Sequence, residues 1–142
     1  MKIRIIVFFL LVLNCSYSQI TTDTTQFREL KGKLLDKTGA IAGQNIYIKG
    51  TNFYSQTDFD GNFCLIVPKN FSIFIEIAMS SKPELLEIHS DQKDLIINIE
   101  NFDKSNNKAF KKWKRQKSIL IPKLENFYNS NSYQDLISVY CR

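Results

Sequence analysis

From residue 27 onward, apolar and polar positions alternate in short runs broken by turn residues. Residues 27–35 form the first run, which closes on the turn cluster Asp36-Lys37-Thr38-Gly39. Residues 45–49 place Ile46 and Ile48 on one side and Tyr47 on the other, before Gly50-Thr51-Asn52 interrupts them. Residues 53–58 and 62–67 follow, the second with Phe63, Leu65 and Val67 on one face and Pro68 as its stop, because proline cannot donate to a strand ladder. Residues 72–79 alternate Ile73, Ile75 and Ile77 against Phe74 and Glu76, and residues 84–89 and 94–100 complete the series. Seven short strands with regular turn signals predict an all-β, seven-stranded antiparallel β-sandwich. The period of two predicts one buried and one wet face for each sheet.

After residue 103 the period changes. Residues 104–117 carry seven basic residues and no acid, with Phe110 and Trp113 three apart on one helical face. Ile119-Leu120-Ile121 is expected to end at Pro122, and residues 123–128 to add a helical turn or two. Ser132 is placed to cap a last helix in which Tyr133, Leu136, Ile137 and Tyr140 form an apolar stripe. The expectation is a mostly helical, basic C-terminal extension over residues 103–142.

The N-terminus follows neither pattern. Lys2 and Arg4 precede nine unbroken apolar residues, 5–13, and Ser16-Tyr17-Ser18 supplies small residues where a signal peptidase reads them. This predicts a signal peptide, residues 1–18, cleaved near Ser18, and a periplasmic or secreted product. The apolar run is too short to span a bilayer, which takes about 20 residues. Lipidation of Cys15, giving an outer-membrane lipoprotein, is the alternative, although Asn14 is a poor residue to precede it. Residues 19–26, rich in Thr and Gln, read as a leader linker. Export leaves Cys64 and Cys141 in a compartment that permits disulfides. They are candidates for a single bridge, and two separate thiols is the other reading.

The stretch Thr57-Asp58-Phe59-Asp60-Gly61-Asn62-Phe63 is a hairpin turn signal. Asp58 and Asp60 read as turn formers, Gly61 as the bend, and Phe63 as the first core residue after it. Asp58-Phe59-Asp60-Gly61 also resembles the start of a calcium loop, but Phe63-Cys64-Leu65 stands where further oxygen ligands would be needed. Taken with Gly32-Lys33-Leu34-Leu35-Asp36, Gly39 and the run from Gly43 to Thr51, this stretch resembles the carboxypeptidase regulatory-like domain over about residues 28–100. The resemblance implies a prealbumin-type, transthyretin-like β-sandwich over residues 27–102. It also implies an accessory role of the kind such domains have beside metallocarboxypeptidases, in outer-membrane receptors and in small envelope proteins. The usual proline between the two early glycines is absent, with Ala40-Ile41-Ala42 in its place, and Met79-Ser80-Ser81 replaces a frequent Gly-Tyr.

Charge divides the chain. Residues 19–103 hold 8 Lys/Arg against 12 Asp/Glu, a net of −4, whereas residues 104–142 hold 9 against 2, a net of +7. Lys108, Lys111, Lys112, Lys114, Arg115 and Lys117, with Phe110 and Trp113 as apolar anchors, are therefore the candidate surface for an acidic envelope partner or an anionic membrane surface. The other reading is a solvated helix whose aromatics pack on the sheets. Export argues against nucleic acid as the partner. His89 is the only histidine, so neither a zinc peptidase nor a Ser-His-Asp triad can be assembled without it, and no cofactor motif occurs. The expected function is a non-catalytic cell-envelope accessory or protein-interaction module. A carbohydrate-binding β-sandwich that uses some of the six tyrosines and eleven phenylalanines is the alternative.

Overall fold

A computed structural model of the chain describes residues 26–79, 82–130 and 133–141. The expected signal segment with its cut near Ser18, the Cys15 alternative, all of the leader but Gln26, and the Ser132 cap lie outside the described residues. The elements in order are β1 (Phe27–Asp36), β2 (Gly39–Ala40), β3 (Asn45–Ile48), β4 (Tyr54–Gln56), β5 (Asn62–Pro68), β6 (Ile73–Met79), β7 (Lys82–Ile88) and β8 (Asp94–Asn98). A 3₁₀ turn, Ile99–Asn101, leads into α1 (Phe102–Ser130), and α2 (Tyr133–Tyr140) follows.

The described residues are mostly β, in two four-stranded sheets followed by two α-helices. In the first sheet β1 is central: it pairs antiparallel with β5 and with the short β2, and parallel with β8. The second sheet runs β4-β3-β6-β7, antiparallel throughout. Register explains the core. Leu30 faces Leu65 across β1 and β5. In the second sheet Ile46 faces Ile77, Ile48 faces Ile75, and Ile73 faces Ile88. All eight are fully buried in one cluster shared by the two sheets, each contributing roughly 1.5–3 kcal/mol relative to exposure.

Four expectations are corrected. Among the described residues eight strands form rather than seven, because Gly39–Ala40 pairs with Leu35 and Asp36 as a two-residue strand. The pairing is not wholly antiparallel, because the chain reaches β8 from the opposite sheet and enters alongside β1 in the same direction. Arg28 holds that entry: its guanidinium donates to the carbonyls of His89, at 2.7 Å, and Gln92, fixing the turn between β7 and β8. The outer face of the second sheet is wet only at its β4 edge, because α1 covers Phe74 and Leu85 with Ala109, Trp113 and Leu120. Nor does α1 stop at Pro122; it is a single helix of 29 residues. Proline costs the helix one backbone bond, but Pro122 is on the exposed side, while Leu120 and Leu124 are buried on either side of it. Packing of the apolar stripe therefore outweighs the local penalty.

Candidate functional site

The turn before β5 is built around Asp58. Its carboxylate accepts the backbone N–H groups of Asp60 at 2.9 Å and Asn62 at 2.8 Å, and the Asn62 side-chain amide at 3.1 Å. The Asn62 hydrogen bonds, helped by Asp60 and the nearby Lys33 charge, hold the Asp58 carboxyl below its usual pKa. Gly61 has a φ of 75°, and a Cβ there would come within 2.6 Å of the Leu34 carbonyl oxygen, so both conformation and space require glycine. Phe63 is buried against Gly32, and the Asp60 side chain is exposed. Phe59, between the two aspartates, is 96% exposed.

The basic stretch lies in the first half of α1, and the structure divides its residues into two sets. Trp113 is buried: its ring meets Phe74 edge-on, with centroids 5.6 Å apart, and it lies against Gly50, where a Cβ would come within 2.7 Å of it. Trp113 is therefore not available as a surface anchor; the sheet offers Phe74 on its outward side, and the indole covers it. Lys112 is also engaged, pairing with Glu87 of β7. Phe110 is half-buried at the edge of the same contact. Lys108, Lys111, Lys114, Arg115 and Lys117 are exposed, and none forms an ion pair among the described residues.

A disulfide joins Cys64 of β5 to Cys141, just beyond α2, with Cα atoms 5.5 Å apart and a sequence separation of 77. Phe27 meets Tyr140 edge-on at 5.0 Å, and Tyr128 at the end of α1 donates its hydroxyl to the Ile66 carbonyl at 2.9 Å. Tyr133 packs on Tyr128 and Phe53. Burial pushes the Tyr128 hydroxyl well above its usual pKa and that of Tyr133 up to about 12.

Sequence reasoning missed a cleft of about 680 Å³ on the outer face of the β8-β1-β5 sheet. Lys31 lies beside Cys64 and Asp94, and Lys33 beside Asn62 and Ile96, so these six residues point away from the core together. Tyr54, Ser55 and Gln56 of β4 and the turn at Asp58 form one wall; Ile137 and the disulfide form another. The polar positions between Leu30 and Leu34 were visible in sequence, but the parallel β8 partner that completes the floor was not.

Among the described residues, no group of three or more His, Cys, Asp or Glu is arranged to hold a metal, and no helix is long and apolar enough to cross a membrane. His89 is exposed at the end of β7. No protein-family model matches the chain, and no curated protein matches it in sequence.

Proposed function

We propose that this chain is an exported, non-catalytic interaction module of the cell envelope, with its signal peptide cleaved near Ser18 and its β-body a prealbumin-type sandwich of the carboxypeptidase regulatory-like kind. Two sheets around one apolar core support the sandwich reading. The observation that carries the function is the exposed face of α1. Lys108, Lys111, Lys114, Arg115 and Lys117 are free of ion pairs among the described residues, and the opposite side of the helix is committed to the sheet. A helix fixed along one side presents its charges as a rigid array, which attracts an acidic partner at long range and positions it at short range.

The occupant is an acidic envelope protein, held by salt-sensitive contacts. The test compares the mature protein with a Lys111→Glu/Lys114→Glu/Lys117→Glu variant for capture from envelope extracts at low and high salt, alongside co-sedimentation with phosphatidylglycerol vesicles. Salt-sensitive capture of an acidic protein, lost in the variant, is the expected result. Equal capture by both proteins would sink the proposal, and vesicle binding alone would replace the protein partner with the membrane surface.

A further inference from the structure

We propose that the cleft on the outer face of the β8-β1-β5 sheet is a binding site for a neutral, hydroxyl-rich oligosaccharide, with Tyr54 as its stacking platform. This site is separate from the basic face of α1, and the inference does not depend on that face having a partner.

Its size falls within the range typical of small-ligand sites, roughly 300–1,000 Å³. Its chemistry narrows the ligand. Lys31 and Lys33 are balanced by Asp58 and Asp94 around the same cleft, which disfavours a strongly anionic ligand such as a nucleotide. Much of this charge is already engaged: Lys31 pairs with Glu29 at 3.0 Å, and Asp58 accepts the hydrogen bonds of its own turn. The capacity that remains is of both kinds. Gln56 donates to the Gly43 carbonyl and keeps its own amide oxygen for an outside donor. Ser55 accepts the Cys64 N–H at 3.3 Å and retains its hydroxyl proton. Sugar hydroxyls both donate and accept, and they match such a mixed lining better than a carboxylate or phosphate does.

The apolar contribution points the same way. Among the described residues six large apolar or aromatic side chains are exposed. Tyr54, half-exposed and with one side of its ring against Tyr47 at 5.3 Å, and Ile96, three-quarters exposed, line this cleft. The apolar C–H face of a pyranose ring covers such a ring while its hydroxyls reach the polar floor. The floor consists of paired strands and one wall is tied by the Cys64–Cys141 disulfide, so the site is ordered before a ligand arrives, which lowers the cost of binding.

The experiment is affinity electrophoresis and titration calorimetry of the mature protein against neutral gluco-, manno-, xylo- and N-acetylglucosamine oligomers, with a uronic-acid oligomer as the charged control. We expect at least one neutral oligomer to bind. Tyr54→Ala should weaken it roughly tenfold, Tyr54→Phe should stay close to wild type, and Ile96→Ser should weaken it less than Tyr54→Ala. Tyr54→Phe and Ile96→Ser should keep the wild-type thermal midpoint, and Tyr54→Ala should lower it only by the lost ring contact with Tyr47. The Lys111→Glu/Lys114→Glu/Lys117→Glu variant should bind sugar normally, which separates failure of this site from failure of the helix face. No binding of any neutral oligomer, preference for the uronic-acid oligomer, or full binding by Tyr54→Ala would each overturn the assignment.

Discussion

The two sheets differ most on their outer faces. The β4-β3-β6-β7 sheet turns Phe74 and Leu85 outward, and α1 seals both beneath Trp113 and its neighbours. The β8-β1-β5 sheet turns Lys31, Lys33, Asn62 and Asp94 outward, and it is left as an open cleft bordered by α2 and a disulfide. The same alternating backbone therefore gives one face sealed by a long helix and one left open in part. What decides between them is the identity of a few outward side chains. An outward Phe beside an outward Leu requires cover, whereas an outward Lys or Asn does not.

This contrast can be tested at several strengths. The largest effect is expected from Cys141→Ser, which frees the strap beside the open face. By the chain-entropy estimate for a loop of this length, stability falls by about 4 kcal/mol. Urea unfolding would read the loss, with hydrogen exchange rising first in α2; an unchanged midpoint would show that packing alone holds the helix. Trp113→Ala opens the sealed face and should cost about 3 kcal/mol, with new dye-binding apolar surface at Phe74. Retained stability without dye binding would mean that α1 adds little to the sheet. Gly61→Val forces a β-branched residue into a left-handed bend against the Leu34 carbonyl and should cost about 2 kcal/mol, measured by thermal melting.

The smaller effects separate the faces further. Tyr128 and Tyr133 have raised pKa values in the folded chain, so in the unfolded chain each ionises first, near its ordinary value of 10.0. Their contribution is complete below pH 10 and is lost as the pH rises through the folded value, about 12 for Tyr133. Alkaline titration followed by circular dichroism should show the α1–α2 corner loosening in that window, and Tyr133→Phe should reduce the effect. Asp60→Asn is expected to change stability by less than about 0.5 kcal/mol, since the turn is held through Asp58 and the Asp60 side chain is exposed.

Much of this contrast was legible in sequence, though not its pairing. The runs at Ile46/Ile48 and Ile73/Ile75/Ile77 marked strands because alternation over four or more residues is hard to mistake. Gly39–Ala40 was missed because two residues carry no period. The parallel register that sets Lys31 beside Asp94 could not be read, because alternation encodes faces and not neighbours. Phe74 among the outward positions of its strand was one hint that a helix lies over it. Trp113 gave the complementary hint, but its spacing from Phe110 suited a surface anchor equally well. Pro122 misled because the rule that proline ends helices is local, while Leu120 and Leu124 are held by the body.

The Cys64–Cys141 bond also has a topological consequence. It closes the backbone from β5 through α2 into a covalent ring. A protease that nicks any one peptide bond inside that ring converts it to a branched chain but releases no fragment. The linkage makes a single cut survivable, and loss of the C-terminal helices requires either a second cut or a reductant.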